Sequence, residues 1–178
     1  DSAVHAVADV SGTMRLSLNT VTSANGHGVS LFSLIGATVV VKRGSIVSTA
    51  ASALVVANVV NAASSIRIEG VTATAATTGV ELAGATFAGT LTITGGSLTA
   101  TSGAAVLVTS ALSGTLKIQS SNVVSTGSHG VDVTGALTGK VLVKGGSVSG
   151  NTGNGLQVGV MTAGSVAINR GAMSGSVA

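Results

Sequence analysis

Only 13 of the 178 residues are Lys, Arg, Asp or Glu, so any chemistry in this chain must come from very few groups. Two acids have matching surroundings. Glu81 is the middle residue of Val80-Glu81-Leu82, and Asp132 is the middle residue of Val131-Asp132-Val133. Paired carboxylates at a suitable separation can flank a glycosidic bond and hydrolyse it with inversion. The equivalent triplet between them is Val106-Leu107-Val108, so an apolar residue stands where the pair would converge. No further polar group or aromatic platform accompanies them, and two solvated acids is the plainer reading. His27 and His129 each precede a glycine and an apolar-X-apolar triplet, but they lie far apart in the chain, and His5 stands alone. Zinc needs several ligands at one point, so these histidines read as structural. Asp1, Asp9, Glu69, Glu81 and Asp132 are too dispersed for a calcium site. Gly139-Lys140 has Val141 where a phosphate-binding loop needs Ser or Thr, and the glycine spacing is wrong.

The cations are less scattered. Arg15, Arg67 and Lys117 are the middle residues of Met14-Arg15-Leu16, Ile66-Arg67-Ile68 and Leu116-Lys117-Ile118. Lys42 and Lys144 follow Val41 and Val143, and Lys140 precedes Val141. On alternating strands all six project outward together. Arg15, Lys42, Arg67, Lys117, Lys140 and Lys144 thus form a sparse basic stripe, suited to an anionic polymer such as an acidic polysaccharide or lipopolysaccharide. The same charges on a flat sheet would also serve solubility, and both readings stay open.

Composition narrows the rest. No cysteine is present, so disulfides and thiolate metal sites are excluded, and no cofactor is expected. With no Trp or Tyr, and Phe32 and Phe87 the only aromatics, stacking on bases is essentially excluded. A net charge of +3 adds little attraction for nucleic acid, which is not an expected partner. The longest apolar stretch, residues 31–41, is broken by Ser33, Gly36 and Thr38 and is too short to span a bilayer. No signal peptide is expected, and the start at Asp1 reads as a processed form or a piece of something longer.

What must position these residues is a repeat. Val4, Val29, Leu54, Val80, Val106, Val131 and Leu156 recur at steps of 25 or 26. Each is followed two residues later by an apolar partner, as Val131 is by Val133. Next comes one loop residue, in the column Val10, Ile35, Val60, Phe87, Leu112, Leu137 and Met161. A second alternating pair follows, such as Val141 and Val143, then a Gly/Ser corner and a third apolar position such as Val148. Coils three and four absorb extra residues, which leaves Val71 and Ala73 as alternatives for that third position.

Spacing of two is strand periodicity, and repeats of this length signal a stacked solenoid. Such short strands cannot bury their apolar face alone, but parallel stacking at roughly 4.8 Å extends one continuous core. The expected fold is all-β: a single-stranded parallel β-helix of about seven coils, with three short strands per coil and one domain over 1–178. A right-handed coil is expected, as for nearly all parallel crossovers.

On this register the outward row of the third strand reads Thr22, Val47, Thr74, Thr99, Val124, Ser149 and Ser174. A flat hydroxyl ladder can order water, so ice binding is a further reading, although aliphatics interrupt the ladder. Val40, Val55, Leu107, Leu142, Val47 and Val124 all occupy outward slots, which suggests contact with another surface. The repeat begins at Val4 and its last core position is Met173, with no proline, charge cluster or amphipathic segment at either end. The first and last coils are therefore expected to abut neighbouring copies or further coils of a parent chain.

The segments Leu91-Thr-Ile-Thr-Gly-Gly-Ser-Leu98 and Val141-Leu-Val-Lys-Gly-Gly-Ser-Val148 resemble bacterial surface β-helices. In style the chain is similar to pertactin-like autotransporter passengers and related pectin-lyase-like adhesins. That resemblance implies display outside the cell or at its surface, adhesion or self-association, and no enzymatic activity. Polysaccharide lyases of this fold carry clustered Asp residues with calcium and a catalytic Arg or Lys, a pattern this sequence lacks. The expectation is a non-enzymatic structural or adhesive rod, as homo-oligomer, fibre or part of a longer surface protein. The alternative is a polysaccharide-binding or polysaccharide-active β-helix.

Overall fold

Why alternating apolar pairs settle into strands here follows from how they pair. The structure, a computed structural model, describes residues 2–17 and 20–175. Seventeen strands and no helix are found among them, every strand pairing parallel to its neighbours, from Val4–Ser17 to Ala172–Gly175. Val4, Val29, Leu54, Val80, Val106, Val131 and Leu156 are register partners from coil to coil. The molecule is a parallel β-solenoid of about seven turns, roughly 34 Å long at the usual strand spacing.

Apolar columns line the interior. Val39, Ile66, Leu91, Leu116 and Val141 stack in register, each at most 1% exposed. A single connected core extends from Val29 to Val148. Phe87, 1% exposed, lies between Val60 and Leu112 in the loop column.

Two positions are settled by the backbone. The loop column passes through Leu34, which pairs with Val10 and Val60, and not through Ile35, which is 43% exposed. Both residues are apolar, so hydrophobicity could not separate them. A register shift between the first two coils and the left-handed turn at Gly36 (φ 65°) move the chain by one residue. In the third strand Ala73 is the partner of Ile46 and Leu98, whereas Val71 pairs with Gly96 inside the corner. The two extra residues in coil three fall earlier, one between Val56 and Val60 and one at the Asn61–Ser64 turn, so the corner keeps its length. There Ser64 Oγ donates to the Leu34 carbonyl at 3.0 Å and accepts from the Ala37 amide at 3.1 Å.

The corner between second and third strands uses left-handed backbone, as at Gly95 (φ 61°) and Gly145 (φ 67°). Arg43 (φ 57°) and Ser120 (φ 49°) hold the same conformation without being glycine. Buried serines fasten the next corner to the coil before. Ser48 Oγ donates to the Gly26 carbonyl at 2.7 Å, and Ser125 Oγ to the Gly103 carbonyl at 2.6 Å.

The outward aliphatics divide. Val40 and Val55 are only 6% and 5% exposed, so the expectation that they offer free apolar surface is corrected. Val40 is flanked in register by the long side chains of Arg15 and Arg67. Val55 neighbours Glu81, whose carboxylate reaches back to Ser52. Leu107, Leu142, Val47 and Val124 are half-buried. The freely exposed large apolar residues are instead Val7, Phe32 and Ile35 in the first two coils, and Val160, Met161, Val166 and Ile168 in the last.

Candidate functional site

Parallel stacking turns sequence spacing into rows on a surface, and the second strands carry three such outward rows. One row runs Arg15, Val40, Arg67, Thr92, Lys117, Leu142 and Ala167. A second contains Lys42, Glu69, Thr94, Gln119 and Lys144, and a third leads through Thr90 and Thr115 to Lys140. The six cations singled out from the sequence therefore share one face. They are six of the eight in the chain, and Glu69 is the one acid among them.

Glu69 divides the face. Its carboxylate binds Lys42 Nζ at 2.9 Å and Arg67 Nη2 at 2.8 Å. The Lys42 hydrogen bond, aided by the fields of Lys42 and Arg67, holds the Glu69 carboxyl below its ordinary range against some desolvation. No other salt bridge occurs among the described residues, which leaves Arg15, Lys117, Lys140 and Lys144 without a carboxylate partner. Lys140 and Lys144 lie on one strand, roughly 13 Å apart. Lys117 sits on the neighbouring strand opposite Leu142, midway between them.

Beside Lys140 the corner opens into a groove of about 410 Å³. Its lining includes Gly89, Gly114 and Gly139 together with Thr90, Thr115 and Thr138. Backbone packs directly on backbone there. A Cβ on Gly114 would lie 1.9 Å from the Gly89 carbonyl oxygen, and one on Gly139 2.0 Å from that of Gly114. Glycine is thus required by close approach of one coil's backbone to the next. The Gly89, Gly114, Gly139 recurrence at steps of 25 was the sequence signal for this groove, and motif reading passed over it.

The other candidates are separated. Glu81 and Asp132 occupy one outward row two coils apart with Leu107 between, roughly 10 Å along the stack. Glu81 Oε2 accepts a 2.5 Å hydrogen bond from Ser52 Oγ. Burial pushes the Asp132 carboxyl above its ordinary range, partly opposed by His129, and its Oδ1 has no partner. His129 Nδ1 accepts from the Asn154 amide at 2.8 Å, while His27 Nδ1 is buried without a partner. Asp9 Oδ1 accepts from Ser33 Oγ. No group of three or more potential metal ligands occurs among the described residues, and Asp1 lies outside them.

On the third-strand face the structure adds a second outward row, Thr20, Ser45, Thr72, Ser97, Asn122, Ser147 and Ala172, beside the row from Thr22. Neither row contains a charged residue. Neighbours in it bond along the stack, as Ser147 Oγ does to Asn122 Oδ1 and Ser45 Oγ to Thr20 Oγ1 at 3.3 Å. No helix among the described residues is long and apolar enough to cross a membrane. No protein-family model matches this chain, and neither a curated protein nor a solved structure matches it.

Proposed function

We propose that this chain is a non-enzymatic structural rod of the cell surface or extracellular space, in which the coil that carries Ile168 is covered by a further coil, supplied by another copy or by a longer parent chain. The observation that carries this reading is the exposure of core columns in the last coil. Ile168 is 50% exposed and Val166 36%, although their column neighbours Val143 and Val141 are buried at 0% and 1%. Met161, 57% exposed, follows the fully buried Leu137 in the same way. A cross-section of this kind presents unpaired strand edge and apolar side chains together, and the complementary surface is another coil. The scattered acids and the capture of Glu81 by Ser52 favour a scaffold over a hydrolase.

The test is the mass distribution of the purified chain over a concentration series, by sedimentation velocity and electron microscopy. End-stacking predicts rods in multiples of one length, lost on Ile168→Asp and retained on the third-strand surface change Ser149→Asp. A monodisperse monomer throughout, or equal effects of both substitutions, would overturn it.

A further inference from the structure

Beyond the rod itself, we infer that its second-strand face is a binding site for an acidic polysaccharide, with Lys117, Lys140 and Lys144 gripping the anionic groups. The charge distribution is the first observation. This face holds six cations and one carboxylate, while Asp9, Glu81 and Asp132 all lie elsewhere. Random scatter of a net charge of +3 would not produce such polarity, and a one-signed face draws in a polyanion. Availability is the second. Glu69 occupies Lys42 and Arg67, but Lys117, Lys140 and Lys144 form a triangle on adjacent coils with no acid partner.

The third observation is the groove of about 410 Å³ that Lys140 lines together with glycines, serines and threonines of successive coils. Its shape discriminates between polyanions. A groove lined by Thr or Ser residues from four successive coils suits a hydroxylated chain, and the roughly 4.8 Å coil repeat is close to the length of one extended pyranose residue. Single-stranded nucleic acid would need aromatic platforms on this face, but Phe87 is buried and the exposed Phe32 belongs to none of its three rows. Duplex DNA is read by elements that enter its grooves, which a flat sheet does not offer. Lysine ammonium groups serve as mobile point charges for carboxylate or sulfate without fixing one geometry. Glu69 is then an internal competitor that keeps Lys42 and Arg67 from the ligand.

Dextran sulfate is the probe, with uncharged dextran of the same length as its control, measured by calorimetry on the full chain across a salt series. Dextran sulfate should bind, weakening steadily as salt rises, and dextran should not. Lys140→Ala with Lys144→Ala should weaken binding about tenfold. Thr22→Glu with Thr74→Glu removes the same net charge from the third-strand face and should leave binding unchanged. Glu69→Gln should tighten binding severalfold by releasing Lys42 and Arg67. Absence of dextran sulfate binding, equal losses in the two double variants, equal binding of plain dextran, or tighter binding of duplex DNA would each overturn the inference. Thermal unfolding of each variant confirms that the face is intact. Because these arms read binding and not mass, their outcome is separate from that of end-stacking.

Discussion

Ile118 and Ile168 offer an internal comparison, because they share one column two coils apart and differ only in what lies above them. Ile118 is 0% exposed between Ile93 and Val143, whereas Ile168 is 50% exposed in the last coil. Ile118→Ala removes buried methyl groups and leaves a cavity that rigid parallel strands close poorly, at a cost of about 3 kcal/mol. For a chain of this length that corresponds to about 10 °C in Tm. Ile168→Ala loses about half of the transfer contribution and creates no enclosed cavity, so about 1 kcal/mol is expected. Urea unfolding followed by far-ultraviolet circular dichroism, at a dilution where sedimentation shows monomer, gives both values, and a constant m-value confirms that the same surface is exposed. At concentrations where rods form, the cost of Ile168→Ala should rise towards that of Ile118→Ala. Equal costs at high dilution, or an Ile118→Ala cost under about 1 kcal/mol, would refute the burial argument.

Two further outcomes follow from the same geometry. Gly114→Ala should cost about 3 kcal/mol, because the new Cβ meets backbone 1.9 Å away. Gly95→Ala, with open space but φ 61°, should cost only about 1–2 kcal/mol in urea unfolding. Burial raises the Asp132 carboxyl, so the folded chain binds its proton more tightly than the unfolded one, and this group's contribution to stability falls as pH rises from about 4 through its raised folded value. Asp132→Asn should therefore be slightly more stable than the parent at pH 7 and lose that advantage below about pH 4; a constant gap in Tm across this range would refute the assignment.

Much of the solenoid was legible without coordinates, because each coil repeats the same local rule and stacking leaves no freedom of partner. Val106, Val131 and Leu156 pair as their spacing implies, and a one-residue slip would turn every side chain in the coil to the wrong face. The six cations fall on one face for the same reason: they occupy equivalent slots in a periodic chain. Loops obey no such period. Leu34 replaced Ile35 because a bulge and a left-handed glycine shift the backbone by one residue, and both side chains are equally apolar. The burial of Val40 and Val55 was equally hidden, since it depends on which long neighbours stand beside them in the stack. The Glu69 clamp on Lys42 and Arg67 joins residues of two coils and needs real side-chain reach to be seen. So does the groove beside Lys140, whose lining brings together Gly89, Gly114 and Gly139 from three successive coils. Periodicity fixes what faces in and what faces out; only three-dimensional packing decides which outward groups are already satisfied and which remain free to bind.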